Sequence, residues 1–452
     1  MSENLWKKQN EKTKKAIFEY CEKYKEFISN NKTERECLNF SVAEAKKRGY
    51  IDINEAISRK TLKAGDKVYA VNRGKMAVFV NVGKEEISKG LNIVGAHIDS
   101  PRLDLKLVPL YESEGLALLD THYYGGIKKY QWLAIPLALH GVVCKKDGTK
   151  IEVNIGDNDG DPVFTISDLL PHLKTKEKID EMSGELLNVL AGSIPMSEEK
   201  EDAVKKNVLR ILKEQNIEEN DFISAEIEVV PAGRARDLGF DRSMILGYGQ
   251  DDRVCAYTAF LGLMDQKKVL EKTAVCILVD KEEIGSFGAT GMSSRFFENI
   301  MAEIVALLGG TELDLRRCLT NSFMLSSDVT AAYDPNYPAP MNKETEAYLA
   351  KGISFNKYTG SKGKYDSNDS NPEFIAKLRK IMDDSNITYQ FTDMGKVDSG
   401  GGGTIAYIMA KYGMEVIDAG VALLNMHAPW EVSCKADVYE AYKCYLEFYK
   451  KF

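Results

Sequence analysis

Residues 92–106 read NIVGAHIDSPRLDLK. Ile93, Val94, Gly95 and Ala96 are apolar or small, the texture of a short strand buried on both faces. His97, Asp99 and Pro101 follow at once. A buried strand that ends in a histidine and an aspartate puts polar groups at the carboxyl edge of a sheet, where α/β proteins hold ligands. In an extended chain a spacing of two turns both side chains to the same side. A metal-binding imidazole donates its second N–H to an oxygen, and Asp99 is placed to accept it. Alone, such a pair is more often a satisfied polar contact than a metal site, so any partners must come from elsewhere in the chain.

On the N-terminal side, Ala16, Ile17, Tyr20, Tyr24, Phe27 and Ile28 recur at helical spacing and predict one amphipathic helix over residues 5–29. Thr33 followed by Glu36 predicts a capping box. Lys67–Val82 reads as two strands around Asn72-Arg73-Gly74-Lys75, a hairpin. On the C-terminal side the texture changes near residue 107. Leu133–Lys145 and Ala225–Val230 alternate like strands, and Ala203–Glu214 has Val204, Val208, Leu209 and Leu212 on one helical face. Asn154–Pro162 (NIGDNDGDP) resembles a calcium loop slightly, but lacks its glycine position and closing glutamate. From 237 onward strand and helix alternate again: helix at Val254–Leu263, the continuous apolar strand Thr273–Val279 (TAVCILV), and a helix within Met292–Leu308. A strand starts at Phe323, helices follow at Pro372–Asp384 and Thr404–Lys411, a strand at Glu415–Val421, and the closing helix at Asp437–Lys450. The expected fold is α/β, a mostly parallel sheet flanked by helices. Its catalytic-type domain spans residues 1–106 and 237–452 and is interrupted by a β-rich insert at 107–236.

The 452 residues suffice for two or three domains. Hydrophobic residues at 44% and charged residues at 28% are ordinary for a soluble globular chain. A net charge of −8 argues against nucleic acid or an anionic membrane as the main partner. No run of about 18 apolar residues exists to span a bilayer. The opening MSENLWKKQNEKTKK has no apolar core, so no signal peptide is expected. Eight scattered cysteines without CxxC pairs read as reduced thiols. Together these point to the cytoplasm.

Other strand ends also finish in ionisable groups. GYGQDD gives Asp251 and Asp252, TAVCILV runs into Asp280-Lys281-Glu282-Glu283, the strand at 323 ends in Ser326-Ser327-Asp328, and the apolar run from Ala422 leads to His427. Any one acid is more often a solvated loop residue or a helix cap. Gathered at one sheet edge, these acids would repel one another without a counter-charge. Two divalent cations would supply it, and two histidines with three carboxylates suit zinc, cobalt or manganese.

The segments AHIDSPR, GQDDR, DKEEIGS, SSDVTAAYDPNY and NMHAPWE, in that order and over most of the chain, resemble the M18 family of metalloaminopeptidases, the aspartyl aminopeptidase relatives. The resemblance implies a zinc exopeptidase fold and removal of N-terminal amino acids from peptides with a free N-terminus. It implies that His97, Asp251 and Asp328 hold one metal, and that Glu283, His427 and the bridging Asp251 hold the other. Asp99 would orient His97, Glu282 would be the general base, and Asp252 would stand behind the ligands where many relatives have Asn. The choice between Asp251 and Asp252 as the bridge stays open. Two cations about 3.5–4 Å apart share a carboxylate and a water and lower the water's pKa toward about 7. Glu282 can then carry its proton to the leaving amine. The segment Pro162–Leu173 (PVFTISDLLPHL) resembles the family stretch in which a histidine reaches the partner's active site, which implies that role for His172. The family also implies dimerisation through the insert and assembly of dimers into a dodecamer.

This chain departs from the family pattern at Asp398–Gly403 (DSGGGG), where relatives carry a bulkier loop. Lys357 is the candidate for holding an acidic substrate side chain, but its spacing requires an insertion, so acidic and neutral preferences both stay open. Rival readings are a carboxypeptidase or deacylase of the same two-zinc clan, or an assembly protein with a vestigial site.

Overall fold

A computed structural model describes residues 3–173, 182–360 and 362–452. The chain forms two compact units. One contains the residues up to Asp99, Arg236–Met426 and Glu431–Phe452; the other contains Ser100–Ala235 and His427–Trp430.

The first unit is built on a nine-stranded mixed sheet. Its strand order is Ile51–Asp52, Lys67–Asn72, Met76–Asn81, Thr273–Val279, Leu91–His97, Phe323–Ser326, Glu415–Gly420, Ile353–Asn356 and Tyr389–Thr392. Leu91–His97 lies at the centre, parallel to both Thr273–Val279 and Phe323–Ser326, which is in turn parallel to Glu415–Gly420. The hairpin Lys67–Asn72/Met76–Asn81 and the strand Ile353–Asn356 join antiparallel. All seven positions of Leu91–His97 and all seven of Thr273–Val279 are buried. That is why Ile93–Ala96 and Thr273–Val279 read without polar alternation: helices cover both faces, so alternation has nothing to report. A core cluster including Val78, Ile93, Ile277, Phe297, Met301 and Met409 fills one side of this sheet.

Local chemistry sets the helix ends. The N-terminal helical stretch is two pieces, Leu5–Lys8 and Glu11–Asn30, not one. Asn10 breaks it by accepting the Thr13 N–H at 2.9 Å, a cap that restarts the helix. Thr33 and Glu36 form the reciprocal capping box of the helix Glu34–Lys47. The hairpin turns through Arg73 and Gly74, both with positive φ, and pairs Asn72 with Met76. The helix in the glycine-run region is shorter than the pattern suggests, Ala406–Ala410.

The second unit is a seven-stranded antiparallel sheet, in the order Lys150–Ile155, Leu137–Cys144, Ala225–Pro231, Arg102–Ser113, Leu116–Tyr124, Val189–Gly192 and Thr165–Ile166. The helix Ala203–Glu214 packs on it. The polar loop after Lys150–Ile155 is closed by its own residues: Asp161 accepts the backbone N–H groups of Gly156 and Asn158 at 3.1 and 3.0 Å. His140 is buried, with Nε2 3.0 Å from Asp157. All eight cysteines are free, and seven are buried. Among the described residues no helix is long and apolar enough to cross a membrane.

Candidate metal centre

Three adjacent parallel strands and one helix start deliver the site. Leu91–His97 ends on His97, buried at 2% exposure. Asp99, fully buried, follows two residues later. Thr273–Val279 passes through Asp280 and then Lys281, whose left-handed φ of 69° turns the chain into a single helical turn, Glu282–Ile284. That turn aims two consecutive glutamates in different directions, which an extended strand would also do but without keeping both at the sheet edge. Phe323–Ser326 leads into Asp328. Asp251 opens the helix Gln250–Met264, where it and Asp252 depart from helical geometry across a cis peptide bond.

These side chains converge. His97 Nε2 lies 3.3 Å from Asp251 Oδ1, 3.8 Å from Asp328 Oδ1 and 3.9 Å from Glu282 Oε2. Two overlapping groups of possible metal ligands result: His97, Asp251 and Glu283, and His97, Glu282 and Asp328, each with its ligand atoms within 4.8 Å of one another. His427 and His172 are in neither group. His427 belongs to the second unit, where its Nδ1 lies 2.8 Å from the Gly126 carbonyl oxygen. His172 sits on an exposed turn of that unit, beside the exposed Leu169, Leu170 and Leu173.

Asp99 does more than its spacing suggests. His97 Nδ1 is nearer the Asp99 backbone carbonyl, at 3.0 Å, than the Asp99 carboxylate, at 3.3 Å. The carboxylate accepts the backbone N–H groups of Glu282 and Glu283, both at 3.2 Å. One aspartate therefore fixes both the imidazole and the turn bearing the two glutamates. Sequence spacing could propose the first contact but not the second, which spans more than 180 residues. Two further supports have no local signal either. Buried Glu431 accepts the Asp251 N–H at 3.1 Å, and buried Gln250 is held by Glu431, Ser433 and Tyr24. Lys357 is ion-paired with Asp369.

Electrostatics follow from crowding. Burial pulls the His97 imidazolium down, but hydrogen bonds to Asp251, Asp328 and Asp99 outweigh it and hold His97 well above its ordinary value. Burial pushes Glu282 up to about 8, with the charges of Asp328, Asp99 and Asp251 adding and His97 opposing. Burial, then the Asp328 charge, raises Asp252 well above the usual carboxylate range. Such a cluster of acids is costly in a protein interior unless positive charge joins it. A divalent cation favours the ionised carboxylates and the neutral imidazole, reversing each of these directions. One imidazole nitrogen and several carboxylate oxygens form a donor set that fits zinc or a similar borderline divalent ion. The donors gathered at this sheet edge therefore suit a divalent metal ion.

Comparison with known proteins agrees. The family model described as aminopeptidase I zinc metalloprotease (M18) matches residues 27–449. A probable M18 family aminopeptidase 1 from Clostridium acetobutylicum is 57% identical over 453 residues, covering 98% of this chain and 97% of the relative. The crystal structure of an M18 family aminopeptidase from Thermotoga maritima superposes with a TM-score of 0.96 at 46% identity, covering 100% of both chains. The dodecamer structure of S. cerevisiae mApe1 gives a TM-score of 0.78 at 20% identity, covering 95% of this chain and 96% of that one, a likeness of fold alone. The chain belongs to the M18 family of zinc aminopeptidases.

Proposed function

We propose that this protein removes N-terminal amino acids from peptides by hydrolysis at a centre of two divalent cations, most readily zinc, with cobalt or manganese as substitutes. The observation that carries the reading is the convergence of His97, Asp251, Glu282, Glu283 and Asp328 from separate strand ends and one helix start. In this reading His97, Asp251 and Asp328 would hold one ion, and Glu283 and His427, with Asp251, would hold the other. When bound, the ions polarise the scissile carbonyl and lower the pKa of water toward about 7. Glu282 Oε2 takes a proton from the attacking water and returns it to the leaving amine. Asp99 keeps the imidazole and the glutamate turn in register while that proton moves, and Asp252 backs the ligands from the fully buried side.

The insert, read as residues 107–236, is proposed to make the dimer contact, and His172 to reach the partner's site. Support comes from the exposed apolar side chains of Leu169, Leu170 and Leu173 around it. Assembly of dimers into a dodecamer, the form described for S. cerevisiae mApe1, and a cytoplasmic location belong to the same reading.

A peptide panel tests the activity. Blocking the N-terminus by acetylation should abolish cleavage, whereas blocking the C-terminus as an amide should leave it intact. The opposite pattern would make the protein a carboxypeptidase of the same clan.

A further inference from the structure

The carboxylate proposed to be shared by two ions stands at a place where the helix Gln250–Met264 is not yet regular, so its position is not set by helical hydrogen bonds. Its surroundings supply the constraint. Gln250, fully buried, donates from Nε2 to the Glu431 carbonyl at 2.7 Å and to the Ile245 carbonyl at 3.3 Å. Its Oε1 accepts from the Ser433 hydroxyl at 2.6 Å and from the Tyr24 hydroxyl at 3.3 Å. These contacts reach the strand Met244–Gly247, the neighbouring antiparallel strand Glu431–Cys434, and the N-terminal helix Glu11–Asn30. The amide of Gln250 cannot move without breaking bonds to all three. One residue on, the Asp251 N–H donates to Glu431 Oε2 at 3.1 Å, so Glu431 holds the Asp251 backbone with its side chain and the Gln250 side-chain amide with its carbonyl. Glu431 is 1% exposed. A carboxylate is an unusual choice beside a cluster already rich in carboxylates, because it adds repulsion. What it offers is an acceptor of fixed reach for an N–H at the helix start.

We propose that Glu431 and Gln250 are positioning residues for the metal centre: together they clamp the backbone at Asp251 and so set where its carboxylate meets the ions. Glu431 touches neither substrate nor reacting atoms in this role. The inference rests on the two-ion reading of the site, and its test separates the two. The test measures zinc affinity of the full-length protein by competition with a chromophoric chelator, alongside kcat and KM on an aminoacyl substrate.

Glu431→Gln keeps an oxygen that can accept the Asp251 N–H. Glu431→Leu keeps much of the volume and loses the acceptor. Supports behind a ligand typically cost about 10–100-fold in metal affinity or activity when removed. Glu431→Leu should therefore bind zinc about 10–100-fold more weakly, with kcat falling and KM little changed, while Glu431→Gln stays within about threefold of the parent. Unchanged zinc affinity in the Leu variant would overturn the proposal, and so would an equal loss in both variants. If the Leu variant does not fold, Ser433→Ala removes one donor from Gln250 at a small packing cost. A severalfold drop in zinc affinity is then expected, and none would overturn the clamp. A parent protein that binds zinc but cleaves no peptide would instead contradict the proposed function and leave the clamp standing.

Discussion

Replacing Glu282 with Gln keeps the length and shape of the side chain and removes its ability to carry a proton. General acid–base groups contribute about 10²–10⁴-fold. Glu282→Gln should lower kcat by about 10²–10⁴-fold while the protein still binds zinc, read by single-turnover kinetics and by metal content. Retained turnover would take Glu282 out of the role. A second residue-scale outcome lies away from the site. Asp437 is fully buried and accepts the N–H groups of Ala350 and Gly352 at 2.6 and 2.7 Å. Burial pushes its carboxyl up to about 7, against hydrogen bonds that pull it down. The folded value is above the unfolded one, so Asp437 takes up a proton on folding. Its contribution is fully present below about pH 4 and is lost as pH rises through about 7. Asp437→Asn should therefore cost stability at pH 5 and cost less, or gain, at pH 8. The difference should be on the order of 2–4 kcal/mol, measured by urea unfolding at both values. A cost that does not change with pH would show that Asp437 is ionised in the folded state at both.

Between elements, close approach matters more than propensity. A Cβ on Gly420, the last residue of Glu415–Gly420, would stand 1.9 Å from the Asp328 carbonyl oxygen. Gly420→Ala must push the Asp328 backbone away from the sheet edge. Zinc affinity should fall by about tenfold or more, with the far-ultraviolet circular dichroism unchanged. Unaltered affinity would mean that Asp328 is not needed for metal binding. Elements with a strong local signature could be read from the sequence: the TAVCILV strand, the Thr33–Glu36 capping box, the hairpin around Gly74 and the helix Pro372–Asp384. Each depends on residues within one or two turns of one another. The break at Asn10 was hidden because a cap inside a helical pattern looks like a tolerated polar residue. The closeness of Gly420 to Asp328 has no pattern at all, since nothing along the chain marks which glycine another backbone will touch.

Across the whole chain, the acids that gather were legible because each follows a buried strand or opens a helix, and because their order matches one family. Their supports were not. The Asp99 carboxylate reaches Glu282 and Glu283, and the Asp251 N–H reaches Glu431 across 180 positions of sequence. Such contacts arise from strand order, and the order Thr273–Val279, Leu91–His97, Phe323–Ser326 cannot be counted off from spacing. Site, mechanism and clamp all require positive ions held among these carboxylates. Zinc per chain, measured by mass spectrometry after dialysis against trace metal, tests that requirement when the parent protein and Asp251→Ala are compared. About two ions per chain are expected in the parent and a loss of both in the variant, because the shared ligand is gone. A parent that retains no zinc, or a variant that retains its full complement, would contradict it.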